Sequence, residues 1–364
     1  MGTHVFPSRS RFPGVLPGML VGKKVTMRFL RLELQETGLS QQESRARKDE
    51  IKAARERYKV DKVILTDSIL DMRFFKTLLP SLAEYGGLQE LFLDSKANLN
   101  REQVRMLRSA GVRLFQPGIE SLDTEILAYM RKGTTLLQNV QFLKWAREYG
   151  LRPAWNLLYG FPGENPKAYG RMASLIPSIV HLRPPTMVSP VLLVRFSPLF
   201  EQSQKWGLRN VRSHVAYQSV YPFDQEDLNE LAYFFDYDFD GKDSIPDYVT
   251  PVKEQVRMWK KCWGQREPPV LSFARGPGAK VTVHDSRPCR LSQRVDLEGD
   301  IAIAYSACDA RRHFDSLAKQ VGEQSGKAYA GHSALRASLE ELVAQRLMLR
   351  EGDQYLSLAT RLPV

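Results

Sequence analysis

Between Asp49 and Trp263 the chain repeats one pattern, a helical stretch followed by a short β-rich run that ends on a polar residue or a glycine. The runs are KVILTD (62–67), LQELFLD (88–94), VRLFQPG (112–118), RPAWNLLYG (152–160) and MVSPVLLVRF (187–196). Strands separated by single helices pair in parallel through right-handed crossovers. Five such units in succession point to the α/β class and to a barrel or partial barrel, with a doubly wound sheet as the competing arrangement. In either arrangement chemistry gathers at the C-terminal ends of the strands. Here those ends are Asp67 with Ser68, Asp94 with Ser95, Gln116 to Ser121, Asn156 to Glu164, and Arg195 to Ser197.

Local signals place the helices. Asn100 and Gln103 have the spacing of a capping box, and Gly111 sits where a left-handed C-terminal cap belongs. Asp123 precedes TEILAYMRK, which Gly133 ends. Ser and Asp at a strand end commonly cap the following helix, so most of the polar strand ends have a structural reading beside the chemical one. Glu120 stands apart because Ser121 and Asp123 are at hand for capping. Asn156 lies among Ala154, Trp155, Leu157 and Leu158. If buried, its amide needs partners, which either a bound polar ligand or the core itself supplies.

Bulk composition removes several classes. With 364 residues, 43% of them hydrophobic, the chain can build one large core and a smaller one. No apolar run approaches the roughly 20 residues of a membrane span, and the first 30 residues lack the pattern of a signal peptide. Cytoplasm is the expected compartment. Cys262, Cys289 and Cys308 are too scattered for a disulfide framework or a local metal motif. The net charge of +11 suggests nucleic acid until it is located. Residues 1–48 carry nine Lys/Arg against three acids, so an excess of six sits there and only five remains for the rest. DNA or RNA is therefore not the expected partner.

The segments QPGIESLDTEILAYMRKGTT (116–135), LLQNVQFLKWAREYGLRPAWNLLYGFPGENPKAY (136–169) and RPPTMVSPVLLVRFSPLF (183–200), with TDSILDMRFFKTLLP (66–80), resemble the core of radical S-adenosylmethionine (SAM) enzymes. The closer resemblance is to the cobalamin-dependent type that matures ribosomally made peptide natural products, and it covers about 49–263. It implies a partial (β/α)6 barrel, a 4Fe-4S cluster, and SAM clamped between that cluster and the strand ends. It further implies Asp67 and Ser68 near the methionine end of SAM, Glu120 and Ser121 near its ribose, and Asn156, Tyr159 and Gly160 near the sulfonium and adenine. Arg195 would face the cavity. Asp67-Ser68 stands where the family commonly has Asp-Asn. Convergent donors and acceptors on rigid elements suit a ligand with an amine, a carboxylate and a ribose.

A cluster of this family needs three cysteine thiolates and leaves one iron open for SAM. They are expected in a C-x7-C-x2-C pattern ahead of the first helix, yet no cysteine precedes Cys262. A one-nucleotide shift would account for this. If Pro17 to Gly22 is encoded CCG GGG ATG CTG GTG GGN, the shifted frame becomes RGCWWG, and Met27 to Leu32 permits CxFCGL. Cysteines then arise at Met19/Leu20, Met27/Arg28 and Leu30/Arg31 with the family's spacing. Residues 1–48 are accordingly expected to be an irregular basic leader, out of frame and without a fold of its own. The cobalamin-binding domain usual in the family would lie upstream, in the other frame. A native disordered basic arm is the competing reading.

After Trp263 the composition changes, with GQREPP as a linker. KVTVHDSRP (280–288) reads as a strand. In SALRASLEELVAQRLMLREGDQYLSLATRL (333–362), Leu335, Leu339, Leu342, Val343 and Leu347 share one helical face, and Glu351-Gly352-Asp353 turns a hairpin. A small α+β winged-helix-like domain is expected over 264–364. Its helix carries Arg336 but also Glu340 and Glu341, which suits a peptide better than a phosphate groove. His284, His313 and His332 are too dispersed to be read as ligands. The expected function is maturation of a precursor peptide, by C-methylation, in a copy that lacks its cluster cysteines. The alternative is a cluster-free, degenerate barrel that binds peptide.

Overall fold

A computed structural model describes residues 29–32, 41–60, 62–65, 70–86, 90–326 and 332–361. Five strands lie side by side in chain order and run parallel: β1 (Phe29–Leu32), β2 (Lys62–Leu65), β3 (Glu90–Ser95), β4 (Val112–Pro117) and β5 (Arg152–Pro153). The chain continues directly into β6 (Asn156–Tyr159), which pairs in parallel with β7 (Met187–Pro190). Crossovers are made by α1 (Gln41–Tyr58), α2 (Leu78–Tyr85), α3 (Arg101–Ser109), α4 (Thr124–Tyr129) with α5 (Leu136–Glu148), and α6 (Pro166–Ile179). The parallel α/β grammar of the sequence is thus present. The capping box forms as read, with Asn100 accepting from the Gln103 amide and Gln103 from the Asn100 amide, and Gly111 has φ +91°. Asp123 caps α4, which ends at Tyr129, ahead of the expected stop at Gly133.

One boundary moves. β1 and the first turns of α1 fall within residues 1–48, so the sheet begins inside the segment expected to have no fold. Residues 1–28 and 33–40, with two of the three shifted-frame cysteine positions, lie outside the described residues. The third, at Leu30/Arg31, is in β1.

The expected strand 187–196 is broken. Pro190 has no N–H to extend the ladder, and β8 (Leu193–Val194) leaves for a second, antiparallel sheet. Beyond α7 (Pro198–Glu201), that sheet is completed by β9 (Arg209–Ser213), α8 (Gln225–Leu231) and β10 (Phe234–Asp238), with β10 in the middle. Leu193, Leu208, Ala232, Phe235, Tyr237 and Phe239 give it a core of its own. The long helix α9 (Ile245–Trp263) then returns and packs along α6. Trp155 and Trp259 meet edge to face at 5.9 Å, and the Trp259 indole donates to the Leu182 carbonyl at 2.8 Å.

The C-terminal hundred residues begin with a meander, β11 (Leu271–Gly276), β12 (Lys280–Asp285) and β13 (Arg294–Glu298). There follow α10 (Asp300–Ala307), β14 (Arg312–His313), α11 (Phe314–Ser325), α12 (His332–Ala344), β15 (Met348–Glu351) and β16 (Gln354–Ser357). Last comes β17 (Thr360–Arg361), parallel to β11. The hairpin of β15 and β16 turns at Gly352, φ +58°, and Leu335, Leu339, Leu342 and Leu347 are buried as their spacing predicts. One buried cluster runs from Ile51 to Ala359, so the core is continuous across the expected linker. Among the described residues no helix is long and apolar enough to cross a membrane.

Candidate functional site

The two faces of the parallel sheet differ. Leu91 and Leu93 of β3, Phe115 of β4 and Leu157 of β6 are fully buried in the core with the helices. Alternation puts Glu90, Phe92 and Asp94 on the other face. Register carries that face sideways, Phe92 beside Leu114, Asp94 beside Gln116, and Leu114 beside Arg152. The unbroken alternation of burial from Arg152 to Leu158 adds Ala154, Asn156 and Leu158 to it. At the N-terminal end of this face Glu90 pairs with Lys62 at 3.2 Å and with Arg152 at 3.3 Å. At the C-terminal end stand Asp94, Gln116 and Asn156.

Asp94 is the chemically distinctive member. One carboxylate oxygen is buried without a hydrogen-bond partner among the described residues, and burial pushes its pKa up to about 6. The sequence marks it as a strand end, but its cap reading fails because Asn100 caps α3. That redundancy was the available signal for a role beyond capping.

The expected SAM residues separate into groups. Asp67 and Ser68 lie outside the described residues. Glu120 is half-buried and accepts from the Lys132 ammonium at 3.1 Å, while its backbone carbonyl accepts from the Leu158 amide at 2.9 Å, which ties it to β6. Asn156 shares the open face and makes no side-chain hydrogen bond among the described residues. Ser121 is fully buried; its hydroxyl accepts from the Asp123 amide at 3.1 Å and lies 3.5 Å from the Met172 sulfur. Tyr159 is three positions from Asn156 and therefore on the opposite face of the strand. Its ring lies under Lys253 of α9 at 4.6 Å, so it does not meet Asn156 in a shared hollow. Arg195 does not face the cavity either. Its guanidinium donates to the carbonyls of Ala232 and Asn229 and stacks against Phe200 and Phe235, bracing the antiparallel sheet.

Gly160 is placed by a carboxylate. Glu164 is buried and accepts from the amides of Gly160 at 2.8 Å and Phe161 at 3.1 Å and from the hydroxyls of Tyr169 and Tyr248, both at 2.6 Å. Burial and that carboxylate raise both tyrosine pKa values. Gly160 and Gly163, φ +83° and +79°, make the turn that this knot requires. Beside Gly160, at the C-terminal ends of β6 and β7, opens an apolar cleft of about 700 Å3. Tyr217, Tyr221, Phe234 and Tyr237 line it, with His214 and Lys242 at its polar positions.

The cluster implied by the sequence resemblance does not fit the residues present. Cys262 and Cys289 are half-buried and Cys308 is buried. The Cys289 thiol donates to the Pro177 carbonyl at 3.0 Å, and burial pushes the Cys308 thiol up to about 12. Among the described residues no three His, Cys, Asp or Glu side chains gather as a metal site.

Residues 42–176 match the family model described as Radical SAM superfamily. No curated protein matches the chain. Among solved structures, the radical SAM methyltransferase TsrM from Kitasatospora setae, with tryptophan and aza-SAM bound, aligns with TM-score 0.42 and 18% identity. That alignment covers 58% of this chain and 45% of TsrM. The cobalamin-dependent SAM radical enzyme OxsB with aqua-cobalamin gives TM-score 0.43 and 12% identity over 62% of this chain and 37% of its own. The coproporphyrinogen III oxidase HemN from Escherichia coli gives 0.33 and 14% over 90% and 85%. This chain thus spans less than half the length of TsrM or OxsB. The similarity to the radical SAM superfamily is thus confined to segment 42–176, less than half of the chain.

Proposed function

We propose that the chain is the barrel (49–263) and C-terminal module (264–364) of a radical SAM enzyme that matures a ribosomally made precursor peptide, with C-methylation as the reaction class. As translated, it lacks the ligands for its cluster. The observation that carries the peptide reading is the aromatic cleft beside Gly160. Its volume of about 700 Å3 is that of a ligand site, and Leu192, Val220, Tyr221 and Phe223 extend it as an exposed apolar surface. Side chains of an extended peptide would lie there, next to the strand ends. Asp94, Glu120 and Asn156 on the open face are the residues suited to the amine and ribose of SAM. Cobalamin would be held by a further domain.

The C-terminal module supports the same reading. Its order α10, β14, α11, α12, β15, β16, with the sheet order β14-β16-β15, supports the winged-helix-like reading. Two basic groups around α12 are neutralised, Arg336 by Asp353 at 2.8 Å and Arg350 by Glu340 at 2.9 Å, which weighs against a phosphate backbone as partner. The scattered cysteines favour a second reading, a peptide-binding barrel without redox chemistry.

Anaerobic reconstitution with iron and sulfide separates the two. The chain as written is expected to acquire no visible cluster absorption. The variant translated one nucleotide out of phase across residues 17–46 is expected to acquire it and to cleave SAM. Absorption in the first would refute the missing-ligand reading. Its absence in the second would leave only peptide binding.

A further inference from the structure

A second cavity, of about 710 Å3, lies where α3 and α5, the meander and the C-terminal helices meet. It is separate from the strand ends and does not rest on the function proposed above. Arg101 and Arg361 on its wall share the Asp309 carboxylate, and Arg101 also pairs with Glu148. Lys280 pairs with Glu298 at 2.8 Å. Two cations remain. Arg275, exposed on β11, donates to the Ser306 carbonyl at 3.5 Å, and Arg312 of β14 donates through Nε to the Ala307 carbonyl at 2.9 Å. Neither has a carboxylate within ion-pair distance among the described residues.

These two guanidiniums come from different strands and anchor on consecutive carbonyls at the end of α10. Each has five N–H donors, of which one is used here, so a forked set of donors is left facing the cavity. Juxtaposed like charges are unfavourable unless an anion lies between them. The floor is apolar, built by Val281, Ala302 and Ile303, and Gln320 and Gln324 of α11 supply amides along one wall. Trp145 also lines the cavity, and its indole N–H is buried without an acceptor.

We infer that this cavity binds an organic oxyanion, a carboxylate or phosphate group carried on an apolar body, with Arg275 and Arg312 as the paired donors. Arginine suits either oxyanion because its fork matches two oxygens at once. The volume lies within the usual range for such ligands, about 300–1,000 Å3.

Fluorescence anisotropy of the full chain with labelled, C-terminally amidated Glu-Leu-Glu-Leu-Glu tests this, with amidated Gln-Leu-Gln-Leu-Gln as the neutral control and AMP as competitor. Saturable binding of the acidic peptide is expected, with the neutral peptide and the Arg275→Gln and Arg312→Gln variants each weaker by about tenfold, as for loss of a charged hydrogen bond. Ala310→Trp fills the cavity without removing a charge and should abolish binding. Arg275 is exposed, so its variant keeps the fold if Arg312→Gln does not. Displacement by AMP assigns the phosphate-bearing class, and its failure assigns the carboxylate-bearing one. Equal affinity for both peptides, wild-type affinity in Arg275→Gln, or no binding of acidic peptide or AMP at about 1 mM would overturn the site.

Discussion

Lys144, fully buried on α5, donates its ammonium to the backbone carbonyl of Ser357 in β16, more than two hundred residues away in sequence. It also donates to the Asp309 carbonyl at 3.2 Å and lies 3.5 Å from the Asp309 carboxylate. Burial pulls its pKa down, and the charges of Asp309 and Glu148 act against that. Asp309 in turn is pushed up by burial, but Lys144, Arg101 and Arg361 outweigh this and hold it below the usual carboxylate range. The junction between α5 and the C-terminal residues is therefore built on a buried charge whose hydrogen-bond acceptors, the Asp309 and Ser357 carbonyls, both lie on the C-terminal side. Lys144→Met removes the cation and leaves the Ser357 carbonyl without its donor. A loss of about 3 kcal/mol is expected, read as the shift of a denaturant midpoint. An unchanged midpoint would mean that the apolar core alone holds the junction.

Asp94 makes the opposite kind of prediction, because its carboxyl is held above its ordinary pKa of 3.8, at about 6. Between those values the folded chain binds more protons than the unfolded one, so this contribution is present at low pH and is lost as pH rises through about 6. At neutral pH the charged form sits half-buried without a partner. Asp94→Asn should therefore stabilise the protein at about pH 8, by about 1 kcal/mol once partial exposure is allowed for, and have little effect below about pH 4. Melting curves of both proteins across that range would show the difference narrowing as pH falls. A constant difference would mean that the carboxylate finds a partner in solution. If SAM approaches this face, the same substitution should weaken its binding.

The parts of the fold that the sequence disclosed are those decided within a few residues. Asn100 and Gln103 cap α3 at a separation of three, and the leucines of α12 follow one helical period. Lys144 is the counterexample. In LLQNVQFLKWARE it reads as a polar position on an amphipathic helix, and only the distant β16 covers it. The antiparallel sheet was hidden for the same reason, since Val194 meets Phe234 only through pairing across forty residues. The site divides similarly. Strand ends located Asp94 and Asn156, whereas strand parity, which was legible, turns Tyr159 to the helices. Arg195 is taken by carbonyls at the C-terminal end of α8, which no local pattern connects to it.

His181 tests whether the same junction is acid-sensitive. It follows α6, is fully buried, and its Nε2 lies 2.9 Å from the Leu358 carbonyl, while Nδ1 is buried without a partner. Burial, followed by the charge of Arg287 and then those of Arg147 and Lys144, drives its pKa well below the ordinary 6.5, against the pull of the Leu358 carbonyl. The neutral ring donating from Nε2 is the form that fits. Below about pH 6.5 the unfolded chain takes up a proton that the folded chain refuses, so stability falls with pH at up to about 1.4 kcal/mol per unit. His181→Gln keeps an amide donor for Leu358 and has no proton to gain. Its denaturation midpoint should change less than that of the wild type between about pH 7 and pH 5, with the wild type losing ground first in probes of the C-terminal module. Parallel pH profiles for the two proteins would place the acid sensitivity elsewhere and leave His181 as a packing residue.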